Sequence, residues 1–411
     1  MIMTAGPPQS EKAPRARRLV PVAAAVLIYT LVMAGANLTI PLYDLWASKF
    51  DFGPVITTLV FVAYIIGVVG MLLVAGSLSD AIGRRPVLAL ALTLTTVSTL
   101  GFALANGLTI LLVSRVLSGA ATGLITATAT ASIAEIVPGR KTAAVLATAA
   151  NVGGLSLGVI GAGLLAEFVP APTRTVFWCY LGACAVAGFA WLAVPETAGP
   201  RTRWRPRVRR LAHPRGAGRA RSFAASGVLA AGSSGVNGFF SSLAPAFLHD
   251  DLGISNLAVI GASVGALFVS ALLAQVFTPP RLLRRSTGTG LLAIGMILIE
   301  TALWTRSAPV FIAGTVFAGA AVGIVMRHGL GVTDALSEPG NRAELNATYF
   351  LFVYSGIVGH VLLLGVLDQI AGTRISSITL TVLVIAIALT GLALGRSTEP
   401  ANPIRMEDFR D

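Results

Sequence analysis

Long apolar runs, broken at intervals by clusters of Gly, Pro and charged residues, are the dominant pattern along this chain. A run of about 20 apolar residues is what a helix needs to cross a bilayer. The runs fall near residues 20 to 41, 54 to 75, 86 to 105, 108 to 134, 143 to 167 and 175 to 194. A second set falls near 223 to 248, 256 to 277, 288 to 305, 309 to 333, 346 to 369 and 375 to 395. Twelve spans are therefore predicted, in two sets of six. Between the sets, residues 195 to 222 hold nine Arg with Pro195, Pro200, Pro206 and Pro214, a stretch that hydrocarbon would exclude and an anionic membrane surface would attract. The expected organisation is a basic leader over 1–19, a six-helix bundle over 20–194, a linker over 195–222, a second bundle over 223–395 and a tail over 396–411.

The two sets repeat in register. Asp51-Phe52-Gly53 before the second span matches Asp251-Leu252-Gly253 before the eighth, and Arg84-Arg85 matches Arg284-Arg285, both at an offset of 200. Ser118 to Gly123 matches Ala318 to Gly323 at the same offset, and Pro138-Gly139 matches Pro339-Gly340 at 201. Matches in the same order over four loops and helices predict a tandem parallel repeat, with two bundles facing each other across a midplane cavity. The expected fold class is an all-α membrane protein of twelve transmembrane helices in two parallel-repeat six-helix bundles.

Composition sharpens this. The chain is 55% hydrophobic, 12% charged and has a mean hydropathy of +0.80, which excludes an ordinary water-soluble domain. Its formal charge of +12 could point to nucleic acid, but 24 of the 30 Lys and Arg fall on one side of the predicted topology. That is the positive-inside bias, so it orients the helices, sets both termini in the cytoplasm of a multi-pass cell-membrane protein and implies no nucleic-acid partner. The apolar run from Val20 to Ile40 is too long for a secretory signal and reads as a retained first span. Cys179 and Cys184, at i and i+5, point to different helix faces and have no redox role. His213, His249, His328 and His360 show no metal spacing, and no phosphate-binding Gly-rich loop or local nucleophile, base and orienter can be assembled. Neither an ATP-driven pump nor an enzyme is expected, and no cofactor.

Between the second and third spans lies Gly76-Ser77-Leu78-Ser79-Asp80-Ala81-Ile82-Gly83-Arg84-Arg85-Pro86. It resembles the loop signature of the major facilitator superfamily: a Gly, an Asp four residues on, a Gly three further, then two basic residues. Gly76 permits close helix approach, Gly83 a tight turn, and Asp80 with Arg84 and Arg85 offers charges that can lock one bundle to another. The resemblance implies the family's fold and a gate that latches the outward-open state against the start of the eleventh helix, with Glu135 at the end of the fourth helix taking part. Ala81 departs from the basic residue usual there. A second stretch, Arg115 to Gly123, is similar to the superfamily's fourth-helix pattern of Arg followed four residues later by Gly. For Arg115 this implies proton relay or recognition of substrate charge; the alternative is a guanidinium paired to fix helix packing. The Gly-rich segment from Asn151 to Gly163 is similar to the fifth-helix pattern of drug/proton exchangers, with Val159 where Pro would stand. In the second half, Pro280 replaces the counterpart of Asp80, and that latch is degenerate.

Transport requires polar groups at mid-bilayer that replace part of a solute's hydration. Ser118, Thr122, Thr126 and Thr130 continue the face of Arg115 at helical spacing. Tyr29, Met33 and Asn37 share a face of the first span, and Ser233, Asn237 and Ser241 share one of its repeat mate. Asn151, Gln275 and Tyr354 are further candidate liners; each of these polar groups serves equally as interhelical hydrogen-bond glue. Arg327 is a candidate cavity charge, with Asp334 two turns away as a possible ion-pair partner. His328, His360 and Glu300 are candidate proton carriers, Glu300 with the alternative of snorkelling toward Arg306.

The leading expectation is a monomeric secondary transporter in the lipid bilayer. It would alternate access by rocking two bundles and exchange protons for a hydrophobic or amphipathic small molecule moving outward. Two alternatives are uptake or facilitated passage of a small anionic metabolite drawn by Arg115 and Arg327, and a non-transporting sensor or lipid-handling protein on the same scaffold.

Overall fold

The computed structural model describes residues 15–75, 78–199, 211–338 and 341–396. Gly76 of the loop signature, the repeat anchor Pro339-Gly340 and most of the expected leader, linker arginines and tail lie outside the described residues. In the first half α1 (Arg15–Asn37) leads through a 3-10 turn at Ile40–Leu42 to a short α2 (Tyr43–Phe50) and α3 (Pro54–Val74). A one-turn α4 (Leu78–Ile82) precedes α5 (Arg84–Ala103), α6 (Leu108–Ile136), α7 (Arg140–Phe168) and α8 (Pro172–Trp191). The second half repeats this order with α9 (Ala217–Ser242), short α10 (Ala244–Asp250), α11 (Leu257–Phe277) and α12 (Arg285–Thr305). It ends with α13 (Ala308–Leu336), α14 (Arg342–Ala371) and α15 (Thr373–Arg396).

Local chemistry sets these boundaries. Pro54 and Pro172 open α3 and α8, where a missing N–H has no cost, and Asn256 caps α11 by accepting the N–H of Val259 at 2.9 Å. Gly83 at φ +108° makes the turn into α5 that a side chain would strain. Among the described residues ten helices are long and apolar enough to cross a membrane; α8 and α9 fall outside that set and complete twelve long helices. Helix α9 starts at Ala217, inside the stretch read from sequence as linker, so Arg219 and Arg221 extend a helix rather than a loop.

Small residues control the packing. Lipid tails are as apolar as Leu, so helices in a bilayer associate through close backbone approach more than through burial of apolar surface. Gly119 and Gly123 lay α6 on α3, where an added methyl group would strike the carbonyls of Tyr64 and Val68. Gly319 and Gly323 lay α13 on α11 against the carbonyls of Leu267 and Ala271. The 200-residue sequence repeat is thus the same helix contact made twice. Meanwhile Ile66, Leu157, Phe189 and Val382 are exposed, which is the arrangement expected of a lipid-facing belt.

The halves meet along two seams, α7 against α11 and α3 against α14, and the short helices α2 and α10 touch near the same end. We call the end that carries α2 and α10 the outer face and the opposite end the arginine-rich face. Each half closes its outer end with stacked rings: Trp46 on Phe102 and Phe177 at 5.9 and 5.7 Å, and Phe247 on Phe311 at 5.5 Å.

Candidate functional site

The polar stripe of α6 is covered by tyrosines. Thr130 Oγ1 lies 3.5 Å from the Tyr29 hydroxyl, to which Asn151 Nδ2 donates at 2.6 Å, and Thr126 approaches the Met33 sulfur at 4.0 Å. The phenol of Tyr64 on α3 lies beside Thr122. From the second half, Tyr354 on α14 lies in the neighbourhood of Tyr64 and Tyr29, and stacks on Phe350 at 6.2 Å. The result is a cluster of three phenols, one amide and several hydroxyls where the halves meet. Ser118 accepts the Thr122 hydroxyl through its carbonyl at 3.0 Å, and Asn37 donates to the Leu155 carbonyl at 3.3 Å, which ties α1 to α7. Asn237 and Gln275 are half-buried on α9 and α11. Tyr64 was missed at the sequence level, although a tyrosine in the middle of the otherwise apolar second span was a readable signal.

Among the described residues the two mid-helix guanidiniums, Arg115 and Arg327, are held without acids. Arg115 is 1% exposed, donates to the Ala36 carbonyl at 2.9 Å and to the Tyr43 hydroxyl, and lies over the rings of Tyr43, Tyr64 and Phe102 at 5.2, 5.6 and 5.9 Å. Its Nε has no partner. Arg327 donates to the carbonyls of Gln275 and Thr278 at 2.9 Å each, so it caps the last turn of α11. The ion pair with Asp334 raised by the sequence does not form, because Asp334 takes both prongs of Arg342 at 2.7 and 2.8 Å. Glu300 does not reach toward Arg306: its Oε1 accepts Trp304 Nε1 at 3.0 Å and lies 3.5 Å from the Ser377 hydroxyl. His360 is buried, with Nδ1 2.6 Å from the Gly356 carbonyl and Nε2 without a partner, as is Nε2 of His328.

On the arginine-rich face the loop residues assemble around Arg84. It pairs with Asp80 at 2.5 Å and Glu135 at 3.0 Å and donates to the Ser79 hydroxyl at 2.6 Å. Arg85 lies over Trp191 at 4.4 Å, and Trp191 donates back to its carbonyl at 2.9 Å. Two members were not foreseen. Thr197 donates to Glu135, and Glu196 accepts the N–H groups of Arg84 and Arg85 at 2.7 and 3.2 Å, capping α5 where Gly83 turns. Burial opposes the charge of Glu196, but N–H groups of Ala198, Arg84, Arg85 and Thr197 outweigh it and hold its carboxyl below the ordinary range. In the other half, Arg215 and Arg219 both pair with Glu338, at 3.1 and 3.5 Å. These ion pairs each stay within one half, and the start of α14 is engaged with Asp334 rather than Asp80.

The outer face is closed by contacts that cross between halves. Gly163 and Gly261 let α7 and α11 touch backbone to backbone, Gly365 packs on Thr58, and Glu167 accepts the N–H of Leu257 at 2.7 Å. Beside this seam a cleft is lined by Asp250, Asp251, Asp368, Ser376 and Ser377. Burial, then the neighbouring Asp250 and Asp368, push the Asp251 carboxyl up. Among the described residues no group of His, Cys, Asp and Glu is arranged to hold a metal ion.

A sequence model of the Major Facilitator Superfamily matches residues 25–359. Over 138 residues the chain is 33% identical to the multidrug transporter MdfA of Yersinia pestis bv. Antiqua (strain Angola), a match that spans 33% of this chain and 34% of that protein. The chain therefore aligns with about a third of that relative's length. Among solved structures, a bacterial homologue of the human lysosomal transporter Spinster, inward-facing and unoccupied, superposes with a TM-score of 0.72 at 17% identity, covering 94% of this chain and 98% of the other. The human organic anion transporter MFSD10 (TETRAN) superposes with a TM-score of 0.63 at 18% identity, over 93% and 99% of the two chains. These likenesses establish the twelve-helix fold in two parallel halves.

Proposed function

The chain belongs to the major facilitator superfamily, and on that premise we propose that it is a proton-coupled exporter of hydrophobic or amphipathic small molecules. Membership makes it a multi-pass membrane transporter of the secondary type. We place it in the cell membrane as a monomer with both termini in the cytoplasm, so that the arginine-rich face is internal and this conformation is inward-open.

The observation that carries the substrate reading is the phenol and amide cluster of Tyr29, Tyr64, Asn151 and Tyr354, which both halves contribute and which contains no carboxylate. Ring faces with a few hydroxyls suit bulky, weakly polar solutes better than sugars, which need many convergent hydrogen bonds. The local identity to a multidrug transporter supports export. Opening the outer seams and closing the arginine-rich face would pass the cluster from one side to the other, with the Asp80, Arg84 and Glu135 network freed to latch the start of α14. His360, His328 and Glu300 each keep an unpartnered buried atom and are the proton-carrier candidates.

Proteoliposomes with an imposed proton gradient test this. The expected result is extrusion of a neutral fluorescent amphiphile against its gradient, abolished by an uncoupler. Movement that ignores the proton gradient would remove the coupling, and inward movement would remove export.

A further inference from the structure

Neither Arg115 nor Arg327 forms an ion pair with a carboxylate among the described residues; carbonyls, a phenol and ring faces are their partners. Dipoles of this kind solvate a guanidinium without cancelling its charge, and in a low-dielectric interior an uncancelled charge acts over many ångströms. The acids of the described chain do not offset it. Asp44, Asp51, Glu167, Asp250, Asp251 and Asp368 stand at the outer ends of helices, while Asp80, Glu135, Glu196, Asp334, Glu338 and Glu344 stand at the arginine-rich ends. The one mid-helix acid, Glu300 on α12, is turned to Trp304 and Ser377 of α15.

The charge is also coupled directly to the cluster. Arg115 lies over the ring of Tyr64 at 5.6 Å, and Thr122 and Tyr354 lie near that residue. A cation on one face of a phenol occupies its quadrupole, so a second cation gains little from the other face, and it polarises the hydroxyl into a stronger donor. The site thus offers donors and positive potential.

We propose that the central cluster accepts neutral and anionic amphiphiles, with Tyr64 donating to an acceptor on the cargo, and excludes organic cations. This rests on the transporter reading and narrows its substrate class.

Tetraphenylborate and tetraphenylphosphonium are nearly equal in size and apolarity and opposite in charge, so their binding isolates the sign. Titration calorimetry on the purified full chain in a neutral detergent is expected to show tetraphenylborate binding at least about tenfold more tightly. In Arg115→Gln the ratio should fall toward one. Tyr64→Phe, which keeps ring and charge, should weaken tetraphenylborate severalfold and leave the sign of the preference intact; it serves if Arg115→Gln fails to fold. Equal or tighter binding of tetraphenylphosphonium, binding of neither ion, or a preference unchanged in Arg115→Gln overturns the proposal. The export reading fails separately: if proteoliposomes extrude tetraphenylphosphonium under a proton gradient, export stands and the charge rule falls. If neutral N-phenyl-1-naphthylamine and both ions stay put while the calorimetric preference holds, the charge rule stands and export falls.

Discussion

The carboxylate of Glu167 on α7 accepts the backbone N–H of Leu257, the first residue of α11, at 2.7 Å. This one bond joins the two halves at the outer face and satisfies a donor that the start of a helix leaves open. It also sets a negative charge on the positive end of the α11 dipole. On the proposed alternating-access reading, Glu167 stabilises the outer-closed state, because any separation of α7 from α11 breaks this bond.

Glu167→Ala is expected to shift the equilibrium toward outward-open by about 1 kcal/mol, or about fivefold in population. Thr58→Cys, buried on the second seam against Gly365, reports the shift. Its labelling by a membrane-impermeant thiol reagent from the outer side should rise by that factor. Unchanged labelling would make the bond incidental.

The repeated glycine contacts should be equally sensitive. A methyl group at Gly119 meets the Tyr64 carbonyl, and one at Gly319 meets the Leu267 carbonyl, so neither neighbour can rotate away. Gly119→Ala and Gly319→Ala are each expected to cost about 1 to 3 kcal/mol through overpacking. Gly70→Ala, with open space around it, should cost little. Thermal unfolding in detergent compares the three.

Glu196 makes a pH-dependent contribution. Its folded carboxyl titrates lower than in the unfolded chain, so its stabilisation is present above the ordinary carboxylate pKa and is lost as the pH falls through the folded value. Wild type should be more stable than Glu196→Gln at pH 7, and the two should converge once the pH falls below the folded carboxyl's pKa.

Asp251 runs the opposite way. Its carboxyl is raised, so the stability linked to it is present below the ordinary pKa and is lost as the pH rises through the folded value. Asp251→Asn should therefore be more stable than wild type at pH 7, and the gap should close on acidification.

The sequence disclosed what depends on periodicity and on backbone demands. Twelve apolar runs, the 200-residue register and the glycine pairs at 119/319 and 123/323 all appear as helices and helix contacts, because span length and close approach are local requirements. The partner of a long charged side chain was not legible, since it depends on which helix lies opposite. Thus Arg327 caps α11 instead of meeting Asp334, and Glu300 turns to Trp304. Glu196 escaped notice for the same reason: 112 residues separate it from the helix start it caps. Tyr64 gave a usable signal in its position, and only its place under the Arg115 guanidinium and near Thr122 ties it to the candidate cluster.

Alternation between two bundles around the phenol cluster is the central claim, and a pair of distances tests it most directly. Spin labels at Ser48→Cys and Ser255→Cys, both exposed on the outer face, report that gap, and labels at Lys141→Cys and Ala343→Cys, exposed on the arginine-rich face, report the other. On turnover in proteoliposomes the outer distance should lengthen while the inner one shortens. Distances that stay fixed, or that lengthen together, would contradict a rocking mechanism.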